Sequence, residues 1–113
     1  MSLEQIKTSL NLEVLQGNQL DKKKVNKGYV GDVLSNVIAQ AKPGDIWITC
    51  QGHPNIVAVA VLKKLSAIII VGKRNPEPAT VQKAKTENIP LFKTELPAFE
   101  VVGKIYQQGV FGI

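Results

Sequence analysis

Between Asp45 and Arg74 the chain reads DIWITCQGHPNIVAVAVLKKLSAIIIVGKR, and this stretch narrows the choice of fold more than any other. Asp45 to Cys50 is a short apolar run containing the β-formers Ile46, Trp47, Ile48 and Thr49, and Ala67 to Val71 is a second. Neither run alternates with polar residues, so both suit strands covered on two faces. Ile56 to Leu62 is apolar at every position, and periodicity alone does not separate buried helix from buried strand there. Context decides. Pro54 stands where a first helical residue has no use for its N–H, and Lys63 and Lys64 fall where positive charge suits a helix C-terminus. The unit is strand, helix, strand, with the helix over Pro54 to Leu65. Such a crossover joins parallel neighbours in the right-handed sense, so the carboxyl ends of both strands open onto one rim. That rim carries Gln51, Gly52, His53, Gly72, Lys73 and Arg74, where an open α/β sheet receives a ligand.

The flanking segments continue the alternation. Ser2 and Gln5 form a capping-box pattern before Leu3, Ile6 and Leu10, so a first helix ends near Asn11. Leu12 to Gln16 reads as a strand, and Gly17 to the lysine run as a loop. Val25 to Val30 reads as a second strand leading to Gly31. Asp32 is placed to cap a helix whose apolar face is Leu34, Val37, Ile38 and Ala41, which Lys42-Pro43-Gly44 stops. After Arg74, Asn75-Pro76-Glu77-Pro78 is a stiff loop into a helix near Ala79 to Glu87, with Val81 and Ala84 inward and Asn88 as its stop. Ile89 to Lys93 is a further strand, and Pro90 limits it to a sheet edge or places the proline at the strand's beginning. Thr94 then caps a last helix with Phe99, Val102, Ile105 and Tyr106 on one face, ending near Gly109. The apolar tail Val110 to Ile113 either folds back onto the core or packs against another subunit. Strands alternating with helices indicate an α/β fold, a mostly parallel sheet with helices packed on its faces, and residues 1–113 are expected to form a single domain.

Charge and composition exclude several functions. The net charge of +5 comes from 14 basic against 9 acidic residues, and all the basic ones but Arg74 are lysine. Nucleic-acid readers cluster arginines and aromatic platforms on one face, a pattern missing here, so Lys22, Lys23, Lys24 and Lys27 read as a solvated loop and no nucleic acid is expected. No apolar run approaches the roughly 20 residues of a membrane helix, and the N-terminus lacks a secretion-signal layout, which points to a cytoplasmic protein without a membrane partner. Cys50 is the only cysteine, so an internal disulfide is excluded and a reducing compartment fits. A metal site needs three or four Cys, His or carboxylate ligands together, and the single His, single Cys and dispersed acids fall short. Neither metal nor cofactor is expected.

Taken in order, GYVGDVLSNV at Gly28 to Val37, DIWITCQGHPN at Asp45 to Asn55, AIIIVGKRNPEP at Ala67 to Pro78 and IPLFKTELPAFEVVGKIY at Ile89 to Tyr106 make the chain resemble a DRTGG domain, a family also related to the N-terminal domain of HPr kinase/phosphorylase. Two departures stand out. Where the family's naming motif has an acidic-basic pair after the central strand, this chain has Gln51-Gly52, and where it has a Thr-Gly-Gly turn this chain has Val71-Gly72-Lys73. The resemblance implies a small α/β regulatory or ligand-binding module, commonly a dimer and often fused to nucleotide-sensing CBS domains, with no catalysis of its own. The HPr enzyme's kinase chemistry belongs to a separate domain with a phosphate-binding loop, and this chain has no G-x-x-x-x-G-K-[ST].

The candidate ligand contacts are Thr49, Gln51, Gly52, His53, Asn55, Gly72, Lys73 and Arg74. Free N–H groups at the start of the helix after Pro54 carry partial positive charge, Gly72 allows close backbone approach, and Lys73 with Arg74 add two cations. His53 either contacts a ligand or caps the helix; as a nucleophile's base it lacks a partner, since Cys50 is expected to point into the core. The leading expectation is a non-catalytic module that binds a small anionic ligand, such as a nucleotide or phosphorylated metabolite, and forms a homodimer. The alternatives are an interaction subunit that docks a protein partner without a small ligand, and a small enzyme using His53.

Overall fold

Ala67 to Ile70 form the middle strand, β4 (Ala67–Ile70), whose parallel neighbour β3 (Ile46–Thr49) is in register so that Ile46 faces Ala67 and Thr49 faces Ile70. The computed structural model describes residues 1–113. β2 (Gly28–Val30) lies parallel to the outer side of β3, β5 (Leu91–Lys93) parallel to the other side of β4, and β1 (Glu13–Gln16) antiparallel to β5. The strand order is β1-β5-β4-β3-β2.

Alternation along the strands divides the core in two. Ile46, Ile48, Ala67, Ile69 and Phe92 point to one face, where they meet α1 (Leu3–Leu10) and α5 (Ala98–Gln107). Trp47, Ile68, Ile70 and Leu91 point to the other, against α2 (Leu34–Gln40), α3 (Asn55–Lys63) and α4 (Pro78–Glu87). The three helices share that face because β2 to β5 are neighbours in chain order and every crossover turns with the same hand. Trp47 is enclosed, and its indole N–H donates to the Gly31 carbonyl at 2.9 Å, so its one polar group is satisfied on burial.

Local signals account for most boundaries. Ser2 caps α1 through the reciprocal bonds expected with Gln5, and Asn11 closes it in the left-handed region. Lys64 and Asn88 end α3 and α4 with the same left-handed turn. The lysine run pairs with the N-terminus, where Leu3 N–H donates to Lys23 O and Val25 N–H to Met1 O, which delays β2 from Val25 to Gly28. Pro90 precedes β5, and β5 is an interior strand, so of the two places open to that proline the strand's beginning is the one taken. The tail folds back: Val110 is buried, Gly28 N–H donates to Phe111 O, and Gly28 bridges Gly112.

Two caps and two helix faces differ from expectation: on α2, Val37 and Ala41 are buried but Ile38 is 40% exposed, because the short helix turns only a narrow stripe to the sheet. Neither Asp32 nor Thr94 caps a helix; α2 and α5 begin at Val33 and Pro97 with no side-chain cap, Asp32 being held by β3 and the Thr94 hydroxyl accepting from Leu96 N–H. On α5 it is Val101 and Ile105 that are buried, whereas Phe99 is 86% and Tyr106 57% exposed. This helix is apolar on two sides, and spacing alone does not say which side the sheet takes. Ile105→Ala should therefore cost about 2–5 kcal/mol in urea unfolding at low protein concentration, and Phe99→Ala on the same helix less than about 0.5 kcal/mol. Equal losses would mean that α5 packs with the other stripe inward.

Candidate functional site

The loops after β3, β4 and β5 all leave the carboxyl edge of the sheet, but not in the same direction. Those after β3 and β4 turn toward α3 and α4 on one face; the loop after β5 turns to α5 on the other. Adjacent strands whose loops part in this way leave a crevice between them, and here it opens between β4 and β5. A cleft of about 780 Å³ lies there, lined among others by Lys73, Arg74 and Asn75 from one loop and Lys93, Thr94 and Glu95 from the other. The sequence alone centres the rim one strand away, between β3 and β4, because the side taken by each helix is not written in any single segment.

The two predicted loops do meet. Gly52 lies so close to the next loop that an added Cβ would stand 3.0 Å from Pro76 Cα, and the Gly52 carbonyl accepts from Glu77 N–H and, at 2.6 Å, from the Thr80 hydroxyl. Thr80 is fully buried, so α4 is tied directly to the loop after β3. At Gly72 the reason for glycine is conformational: a Cβ there would meet no atom within 4 Å, but φ is +78°, and Lys73 follows at +63°. Lys73 thus holds a left-handed conformation that glycine adopts at less cost. Gly72 N–H donates to Leu96 O and Lys73 N–H to Thr94 O, which fastens this turn to the loop after β5.

The start of α3 is less open than expected. His53 Nδ1 accepts from Asn55 N–H at 3.0 Å, its carbonyl accepts from Ile56 N–H, and Pro54 O accepts from Val57 N–H, so the first helical donors are already engaged. His53 is a helix cap, with its ring otherwise exposed. The N–H groups of Gly52 and His53 just before the helix have no partner within the protein. Thr49 is buried, its hydroxyl donating to Asp32 Oδ1 at 2.8 Å and accepting from Gln51 N–H, so it works behind the rim. Gln51 Nε2 donates to the Asp32 carbonyl, and Gln51, Asn55, Lys73 and Arg74 are exposed.

Asp32, which its place in the sequence marks as a helix cap, is the residue that holds the site together. Its carboxylate accepts from Cys50 N–H at 2.9 Å as well as from Thr49, pinning the loop after β2 to the end of β3. The Cys50 backbone bond, the Thr49 hydroxyl and the charge of Arg74 hold its carboxyl below the usual carboxylate range, against a smaller opposing effect of burial. The same carboxylate, by hydrogen bonding and charge, pushes the Cys50 thiol up. Cys50 is half-buried at the rim and does not enter the core; it stays a protonated, weak nucleophile. In the cleft, Lys93 Nζ donates to Asn75 Oδ1 at 2.5 Å and lies 3.9 Å from Glu13. Lys73, Arg74 and Lys93 against Glu13 and Glu95 leave the cleft with a positive excess. Asn75, Lys93 and Thr94 are legible in the sequence as residues at strand ends, and the missing signal is the change of side after β5. No group of three or more His, Cys, Asp or Glu side chains is arranged to hold a metal ion, and no helix is long and apolar enough to cross a membrane.

A family model described as the DRTGG domain matches residues 5–108. Among solved structures, the chain is similar to the CBS and DRTGG domains of the regulatory region of Clostridium perfringens pyrophosphatase, determined in complex with its activator, diadenosine tetraphosphate. The identity is 26% and the TM-score 0.79, over 94% of this chain and 46% of that one, so the chain spans about half the length of this relative. No curated protein matches it.

Two outcomes follow from the Asp32 network. Because Asp32 is more acidic folded than unfolded, the stability it supplies is complete above the ordinary carboxylate range and drains away as pH falls through and below about pH 4. Asp32→Asn should lower stability at pH 7 by about 1 kcal/mol, the value for an exposed charge-assisted bond after solvent screening, and by less at pH 3; it should also speed alkylation of Cys50 by iodoacetamide at pH 8, since the thiol loses the group that raises its pKa. An unchanged alkylation rate would remove Asp32 as the cause. Lys73→Gly should raise stability by about 0.5–1 kcal/mol, the relief of left-handed strain less glycine's extra freedom when unfolded.

Proposed function

The chain belongs to the DRTGG domain family, and from that premise we propose that it is a regulatory module that binds a small anionic ligand, a nucleotide or phosphorylated metabolite, at the carboxyl rim of its sheet and performs no chemistry of its own. The observation that carries the reading is the cleft at the change of side between β4 and β5, with Lys73, Arg74 and Lys93 on its walls. A polyanion arriving there meets cations from two loops that are bonded to each other through Gly72 and Leu96, so their separation is held before binding. Gly52 and His53 extend the same rim toward β3 with two backbone donors and the outer nitrogen of the imidazole ring. Gln51, Asn55 and Gly72 complete the surface, with Thr49 as its support. The related regulatory region of a pyrophosphatase, crystallised with a nucleotide activator, supports the ligand class.

Chemistry at this rim is disfavoured by the states of its reactive groups. Asp32 and burial push the Cys50 thiol up, away from the reactive thiolate, and His53 Nδ1 is taken by Asn55 N–H and so is not free to act as a base. A cytoplasmic setting suits an unpaired, half-buried thiol.

Thermal-shift and calorimetric titration with ATP, diadenosine tetraphosphate and inorganic phosphate tests the proposal. A ligand present at about 100 times its Kd should stabilise the fold by about 2.7 kcal/mol. Replacing Arg74 and Lys93 together by Ala should weaken binding at least about tenfold, with a salt dependence to match. If no polyanion shifts the melting temperature, or if the double variant binds as tightly as the parent, the ligand reading falls.

A further inference from the structure

The segments that lead into the parallel strands carry lysine: Lys27 stands just before β2, Lys42 in the turn before β3, and Lys64 at the end of α3, before β4. All three are exposed, as is Lys24 on the segment that leads to β2. Because β2, β3 and β4 are adjacent and parallel, their starts lie side by side at the amino edge of the sheet, the end opposite the cleft. Asp45 fixes the spacing. Its buried carboxylate accepts from Lys27 N–H at 3.2 Å and Lys42 N–H at 2.8 Å, and Gly44 N–H donates to Lys64 O at 2.9 Å, so three loops are bonded into one ledge.

That carboxylate is engaged with backbone and does not pair with the ammonium groups. The structure has two ion pairs, Lys7–Glu4 and Lys93–Glu13, and neither uses one of these lysines. The remaining acids of this edge stand to one side, Asp21 in the turn after β1 and Glu87 at the end of α4, before β5. Like charges held side by side repel, so the ledge costs the fold stability. Lys64 adds to the cost: it closes α3 at φ +56°, the conformation in which Asn11 and Asn88 close α1 and α4, and asparagine holds it more easily than lysine. The ends of α2 and α3 favour a cation, but Lys24 and Lys27 lie on no helix. In the last turn of α3, Leu62 is 64% exposed.

We propose that this ledge docks a protein partner through a bounded acidic patch, Asp and Glu side chains set against Lys24, Lys27, Lys42 and Lys64 with an apolar residue over Leu62. Charge complementarity selects the occupant. A nucleic acid calls for arginines and aromatic platforms, and the one arginine, Arg74, is at the opposite edge. A bilayer is anionic across its whole plane and meets Asp21 and Glu87 along with the lysines, whereas a bounded patch faces only the lysines over β2 to β4. Lysines on fixed loops supply the long-range attraction that speeds encounter with an acidic protein face.

Fluorescence anisotropy with the full chain and a labelled Asp/Glu peptide with a central Leu, at about 50 and 150 mM salt, tests this. The parent should bind, more weakly at the higher salt, and Lys42→Glu with Lys64→Glu should weaken binding about tenfold or more. Lys7→Glu with Lys83→Glu makes the same change in net charge at mid-helix positions and should weaken it less than about twofold. Lys42→Ala with Lys64→Asn, which gives α3 the cap residue of α1 and α4, should keep the melting temperature and still weaken binding about threefold or more, a loss that misfolding does not explain. No binding by the parent, or equal losses in the two charge-reversed pairs, overturns the proposal. So does tighter binding to phosphatidylserine-containing vesicles or to duplex DNA than to the peptide, which assigns the ledge to a lipid surface or a nucleic acid.

Discussion

The burial of β3 and β4 on both faces is the constraint from which the rest of this molecule follows. Ile68, Ile69 and Ile70 have no exposed surface at all, so helices must cover the sheet above and below, and a chain of 113 residues must supply both layers. It does so by sending α2, α3 and α4 to one side in succession and leaving α1 and α5 for the other. The consequence reaches the surface. A sheet wound in one direction only would turn all its carboxyl-end loops the same way; covering the second face takes α1 before the parallel strands and a change of side after β5, and that second change opens the cleft.

Stability and site are joined at single residues for the same reason. Asp32 is a loop residue whose carboxylate closes the end of β3, and through its charge and hydrogen bonds it sets the state of Cys50 and faces Arg74. Thr80, buried in α4, reaches the Gly52 carbonyl and so fixes the loop after β3 from the loop after β4. The rim is held by strand ends and buried hydroxyls, an arrangement that keeps its cations spaced without relying on a mobile loop.

What the sequence discloses follows from the range of the forces involved. The capping box at Ser2, the stops at Asn11 and Asn88 and the two-faced strands are local or nearly so, and each is found where its residues place it. Asp32 looks like a cap because it stands two residues before α2, but Thr49 and Cys50, 17 and 18 residues on, compete for it and win. Thr94 is likewise drawn off, its hydroxyl turned to Leu96 N–H before α5 begins. The choice between the two apolar stripes of α5 depends on where the sheet lies, and the position of the cleft depends on which side α5 occupies; neither is a property of a segment. The candidate residues of the two loops are brought onto one rim by a rule of handedness that holds for the whole chain, while the added walls of Asn75, Lys93 and Thr94 require the third loop.

One element borders two surfaces. The loop into α5 supplies Glu95, Leu96 and Pro97 to the cleft, and Leu96 accepts the Gly72 hydrogen bond that fixes the turn bearing Lys73. The same helix presents Phe99 and Tyr106, about two turns apart, to solvent on its outer side. A regulator transmits only as much free energy as the difference in contacts its ligand makes with two arrangements of the protein. The segment from Leu96 to Tyr106 is therefore the part of the chain that borders both the charged cleft and the exposed apolar face, and any difference in contacts at the Gly72–Leu96 bond would have to be borne by α5.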